Sequence, residues 1–197
     1  ALSTPDTPVG SLYGYAAPWK DPATLLAAGR HTSAAARIII AGPFWDDPAQ
    51  AGVDIKAEVE KAAAGTTLQI TVVADYLDAP ARRALTAASD FAVFPYRHQP
   101  TFQGSGAIAD YLAHAVPVLA TDVANMAELV GDAGMIVPPA DPLALAEALD
   151  LFSADHKQRY RLREAAQRRA HRFTADHHAR RCLRLYELAV AYRGARR

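Results

Sequence analysis

The sequence predicts a doubly wound α/β fold: a parallel six-stranded sheet with helices on both faces, followed by a C-terminal helical extension. Three observations predict it. Short apolar runs alternate with amphipathic or capped segments through residues 9–152, the rhythm of repeated βα units. The run ARIIIA (36–41) is continuous and β-branched rather than alternating, as in a strand covered on both faces. From Ser153 onward strand signals cease and only helical periodicity remains.

Taken in order, Val9–Ala16 reads as the first strand, and Asp21-Pro22 then supplies an N-cap and a proline at N1 for a helix ending near Gly29. Ala36–Ala41 is the second strand, broken by Gly42-Pro43, and Gln50–Ala64 an amphipathic helix with Val53, Ile55, Val59 and Ala62 among charges. Leu68–Ala74 is the third strand and Ala79–Ala88 a short helix.

Phe91–Asp122 is the centre of the pattern. A buried strand (91–95) leads into a polar loop closing on Gly104-Ser105-Gly106, then an apolar helix (107–115) and a strand (117–121) that must lie parallel to the first. A strand, a glycine-bearing loop and a helix N-terminus make an anion site, because first-turn N–H groups lack intrahelical partners and the helix dipole favours negative charge. Phosphate is the expected guest, although an ordinary turn accounts for the same three residues.

Asp122 is expected to cap a helix through Val130 that Gly131 ends. Gly134–Pro138 is the sixth strand, and Asp141-Pro142 opens a helix with the same cap chemistry as Asp21-Pro22. The division is therefore a Rossmann-like sheet domain over 1–152 and basic helices over 153–197, roughly 154–172 and 175–193, expected to pack on it. The last helix carries Leu185, Leu188, Ala189 and Tyr192 on one stripe, with Thr174 as its cap.

Composition bounds the function. No apolar run approaches the ~18 residues of a membrane span, and the N-terminal segment lacks a signal-peptide pattern. The single cysteine, Cys182, excludes an intramolecular disulfide and fits a reducing, cytoplasmic setting. The zero net charge hides an asymmetry: 13 Lys/Arg against 4 Asp/Glu in residues 151–197, and 8 against 17 before them. A basic helical tail suits an acidic neighbour or an anionic surface, or simply a solvated face; nucleic acid is not the expected partner. No cluster has metal-ligand spacing, and no Ser/His/Asp or Cys/His set is visible.

In such a sheet ligands bind beyond the carboxyl ends of the strands. That edge gathers Gly14 to Lys20, Gly42-Pro43, Asp75-Tyr76, Tyr96 to Gly106 and Thr121-Asp122. Arg97, His98 and Gln103 lie in the fourth of these loops, either as phosphate or sugar contacts or as solvated loop residues.

The stretch PVLATDVANMAELVGDAGMIVPPADPLALAEAL resembles the C-terminal nucleotide-sugar-binding domain of glycosyltransferase family 4, retaining enzymes of the two-Rossmann-domain (GT-B) fold. The similarity runs from about Gly14 to the chain end and is strongest over Asp90–Leu149. The closing FTADHHARRCLRLYELA is similar to the family's last helix, which reaches back toward the N-terminal domain.

The resemblance implies a metal-independent hexosyltransferase with no cofactor, whose substrate is a nucleoside diphosphate sugar of unspecified base. Lys20 stands at the lysine that holds the donor diphosphate and would be the catalytic residue, while Tyr15 occupies the position of the partnering arginine. The family's two glutamates, separated by seven residues, fall at Phe102 and Asp110, so only the ribose-binding carboxylate remains, on a shorter arm. Gly14, Gly42, Gly104, Ser105, Gly106 and Ala107 complete the implied donor site. An N-terminal acceptor domain is implied as partner, with peripheral membrane contact through it. The alternative is a non-catalytic binding or scaffolding module that keeps the fold, as the residues at 15 and 102 would suit.

Overall fold

A computed structural model describes residues 7–15, 17–33, 35–43, 55–100 and 104–194. Six strands, β1 (Val9–Tyr13), β2 (Arg37–Ala41), β3 (Gln69–Val73), β4 (Phe91–Phe94), β5 (Val118–Thr121) and β6 (Gly134–Val137), form one parallel sheet. Their order is β3-β2-β1-β4-β5-β6, so the winding reverses between β1 and β4. That reversal opens a crevice above the carboxyl ends of those two strands.

The helices are α1 (Pro22–Ala28), α2 (Ile55–Ala63), α3 (Ala79–Ala88), α4 (Gly106–Ala113), α5 (Met126–Val130), α6 (Pro142–Ala154), α7 (His156–Ala170) and α8 (Ala175–Gly194). Two of the expected aspartate caps form: Asp21 accepts from Thr24 N at 3.2 Å, and Asp141 from Leu143 N and Ala144 N at 3.1 and 3.0 Å; Asp78, not expected as a cap, accepts likewise from Ala81 N at 2.8 Å. Each such bond satisfies a donor the helix cannot and stabilises its start by about 1 kcal/mol.

The continuous run of β2 is buried on both sides, for the reason its sequence suggested. Ile38 and Ile40 enter the main core with Leu25, Leu26, Phe91 and Phe152, whereas Ile39 and Ala41 join Val9 and Leu85 in a smaller cluster under α3. Phe91 and Phe152 stack at 5.0 Å between ring centroids, joining the centre of the sheet to α6. Strand β3, at the edge, stays half-exposed.

Several boundaries differ from the sequence expectation. β1 ends at Tyr13 rather than Ala16, because Gly14 turns at φ +118° while its N–H still donates to Ala41 O. Asp122 does not cap the next helix. The chain makes an extra turn through Ala124 at φ +49°, and α5 starts four residues later behind Asn125, without a side-chain cap bond. α6 runs on to Ala154, across the 152/153 division, and Asp155, in extended conformation, ends it and caps α7 through Gln158 N. Residues 50–54 of the predicted second helix, with Val53, lie outside the described residues, as does the side chain of Ile55.

Of the two C-terminal helices, α7 buries Leu162, Ala165 and Ala166 on the main core. α8 buries no residue, and Leu185, Leu188 and Tyr192 of its stripe are all exposed. Thr174 Oγ1 accepts from His177 N at 3.2 Å, the predicted cap.

Candidate donor site

The loops at the carboxyl edge are packed against one another before any ligand arrives. Gly42, at φ +125°, lies so close to the loop after β1 that a Cβ there would sit 2.3 Å from Gly14 O. Only glycine fits that backbone and that gap. Over Gly14 itself lies the ammonium of Lys20, 2.5 Å from where a Gly14 Cβ would stand. The two predicted glycines therefore keep space for one predicted cation.

Lys20 closes the turn Pro18–Lys20, its N–H donating to Ala17 O at 2.9 Å. Burial lowers its pKa from 10.5 to about 8, because desolvation disfavours the charged form. Its Nζ stands 5.9 Å from the centroid of the Tyr96 ring, a cation–π contact, and makes no ion pair among the described residues. A desolvated ammonium without a counter-charge is a ready anion receptor.

Tyr96 carries the site on to α4. Its buried hydroxyl lies 3.5 Å from Ser105 Oγ, and burial pushes its pKa up to about 12, so it stays protonated. Ser105 caps α4, accepting from Ile108 N at 3.3 Å, which leaves the Gly106 and Ala107 amides without a partner among the described residues. A Cβ on Gly106 would meet no atom of the described residues within 4 Å. Gly104 is placed by Asn125, whose Oδ1 would lie 3.4 Å from a Cβ there. Thr121 Oγ1 donates to Tyr96 O at 2.6 Å and fixes the β4 loop to β5.

Asp110, one turn into α4, accepts from Tyr13 OH at 2.5 Å, and its other oxygen lies 3.4 Å from His114 Nδ1. Burial, then the bond to Asp110, raise the Tyr13 pKa, so the phenol remains a donor. Arg97 is already engaged: it forks onto Asp21, Nε to Oδ2 at 2.6 Å and Nη2 to Oδ1 at 2.8 Å, while its N–H donates to Trp19 O. It is a strut between the β1 and β4 loops. His98 is exposed on the same loop, and Gln103 and Phe102 lie outside the described residues.

Beside these groups a pocket is lined by Tyr13, Tyr15, Pro43, Tyr76, Leu77 and Arg82, together with Gly14 and Gly42. Neither Tyr13 nor Tyr96 is signalled as functional by the sequence. Tyr13 does follow the alternation of β1 two residues after the polar Ser11, and two polar side chains on one face of a strand are the signal that finds it; Tyr96 has no such signal.

A family model for group 1 glycosyl transferases matches residues 9–155. The chain belongs to this family. Its fold is also that of several solved structures. Sucrose-phosphate synthase from Thermosynechococcus elongatus aligns over 95% of this chain and 46% of its own, with 24% identity and a TM-score of 0.75. Anabaena HepE in complex with UDP and glucose aligns over 92% and 48%, with 18% identity and a TM-score of 0.76. The catalytic domain of cholesterol-α-glucosyltransferase from Helicobacter pylori aligns over 84% and 98%, with 12% identity and a TM-score of 0.66. This group 1 glycosyltransferase chain thus spans about half the length of the first two. No curated protein sequence matches it.

Proposed function

We propose that this glycosyltransferase chain binds the donor, a nucleoside diphosphate sugar, for a retaining, metal-independent sugar transfer. The observation that carries this is Lys20: a buried cation with no counter-charge among the described residues, over Gly14, at the sheet reversal. The diphosphate would lie between Lys20 and the Gly106 and Ala107 amides, with the Tyr96 ring beneath the ammonium. Asp110, oriented by Tyr13, would accept from ribose hydroxyls, and the tyrosine-lined pocket suits a planar base. HepE, of the same fold, is described with UDP and glucose bound.

Catalysis in this reading is electrostatic. As the sugar–phosphate bond breaks, charge grows on the leaving diphosphate, where Lys20 and the helix start are already in place and need no reorganisation. The acceptor would be held by a further domain in a cytoplasmic enzyme, with any membrane contact made from there. Among the described residues no helix is long and apolar enough to cross a membrane.

A second reading keeps donor binding without transfer, and Tyr15 in place of the expected arginine favours it. Calorimetric titration with UDP, GDP, ADP and TDP and their sugar conjugates, with and without Lys20→Ala, tests both. Binding of one base that Lys20→Ala weakens at least roughly tenfold supports the donor site. Binding indifferent to that change removes Lys20 from it. Product formation from the bound donor by the complete enzyme then decides between transfer and binding alone.

A further inference from the structure

We propose that the opposite edge of the sheet carries a second binding site, for a small phosphorylated sugar or polyol. It is a groove lined by Asp90, His156, Arg159, Tyr160 and Arg163. Asp90 immediately precedes β4, so the groove lies at the amino ends of the strands, away from the donor crevice. The other four residues recur at the i, i+3, i+4, i+7 spacing that puts side chains on one face of α7.

The groove holds complementary chemistry that its structural bonds do not use up. Arg159 Nη1 donates to the carbonyls of Phe152 and Ser153, closing the end of α6, and Arg163 Nη2 donates to Ser89 O at 3.2 Å. These bonds fix one nitrogen of each guanidinium and leave the others without a partner among the described residues. Asp90 Oδ2 accepts from Val9 N at 2.9 Å, and neither arginine forms an ion pair with this carboxylate. Two anchored cations, with an imidazole beside them, therefore share the groove with one carboxylate whose second oxygen has no partner among the described residues.

That combination selects the ligand class. Guanidinium groups with nitrogens to spare hold a phosphate in planar, charge-assisted bonds. Asp90 repels a bare anion but accepts from hydroxyls, so it favours a ligand carrying hydroxyl groups next to its phosphate. The Tyr160 ring, 58% exposed, offers an apolar surface to the C–H face of a sugar. A capping role alone explains one nitrogen on each arginine, but not the convergence of His156, Tyr160 and Asp90 on the same groove.

The test is an NMR and calorimetric titration of the full chain with inorganic phosphate, a hexose 6-phosphate and the free hexose. The expected result is saturable binding of the hexose phosphate, roughly tenfold tighter than inorganic phosphate, and none of the hexose. Arg163→Ala lowers affinity for both phosphate probes, and Tyr160→Ala, at an exposed position, lowers it for the hexose phosphate alone. Asp90→Asn strengthens inorganic phosphate binding. Lys20→Ala changes nothing here, which separates this groove from the donor crevice. The proposal is overturned if folded wild-type chain shows no saturation, if Tyr160→Ala and Arg163→Ala both bind as wild type, or if Lys20→Ala abolishes binding.

Discussion

Arg97, more than half exposed, holds the carboxylate of Asp21, which is 1% exposed, through two hydrogen bonds of 2.6 and 2.8 Å. The same carboxylate caps α1 and accepts from Thr24 Oγ1 at 2.5 Å. One buried charge thereby joins the start of α1 to the loop after β4.

From that arrangement Asp21→Ala should cost about 2–4 kcal/mol of stability, since it removes the cap and strands Thr24 and Arg97 together. Arg97→Ala should cost less, about 1–2 kcal/mol, because water reaches its side of the pair. Urea unfolding of both single variants and the double variant measures the coupling. Additive costs would mean that the fork contributes nothing.

Lys20 makes stability depend on pH in a defined window. Its folded pKa, about 8, lies below the ordinary 10.5, so the folded chain loses the proton first. The unfolded state then binds more protons, and stability rises as pH increases from about 8 to 10.5, with the full penalty present below 8. Lys20→Ala should lack this rise, which unfolding at pH 7, 9 and 10.5 can check. Nucleotide affinity should move the opposite way. An ammonium is needed to hold the diphosphate, so affinity falls toward a limit of roughly tenfold per pH unit above the folded pKa.

A buried hydroxyl chain has a readable direction. Ser89 Oγ donates to Leu85 O at 2.7 Å, so it accepts from Ser11 Oγ at 2.5 Å, which in turn accepts from Tyr111 OH at 2.6 Å. Tyr111→Phe removes only the terminal donor and should cost about 1 kcal/mol. Ser11→Ala orphans the buried Tyr111 hydroxyl as well and should cost about 2–3 kcal/mol. Thermal unfolding of the two variants compares them, and a reversed order would reverse the chain.

Gly42→Ala tests whether the loops are truly back to back. The new methyl would collide with Gly14 O in a backbone conformation that disfavours side chains, at a cost of about 2 kcal/mol or more. Because relief must push Gly14 against Lys20, nucleotide affinity should fall further than unfolding alone explains. Binding measured well below the melting temperature separates the two effects.

The six alternating strands and most helices were legible because their signals are local: the β-branched run of β2, the aspartate caps before α1 and α6, and Gly14, Gly42 and Lys20 at the expected edge. What was not legible depends on distant pairing. Nothing near Arg97 in the sequence says that its partner is 76 residues away, nor that Tyr13 meets Asp110. Asp122 looked like a cap from composition alone, and the tight turn at Ala124 has no sequence signature. The stripe on α8 declares an apolar face but not what it lies against.

That helix has a thermodynamic consequence of its own. With no buried residue, α8 draws little packing from the sheet domain, and its 20 residues, about 30 Å long, rest largely on their own backbone bonds. Its order depends on length and temperature, so α8 can fray while the body of the molecule stays folded.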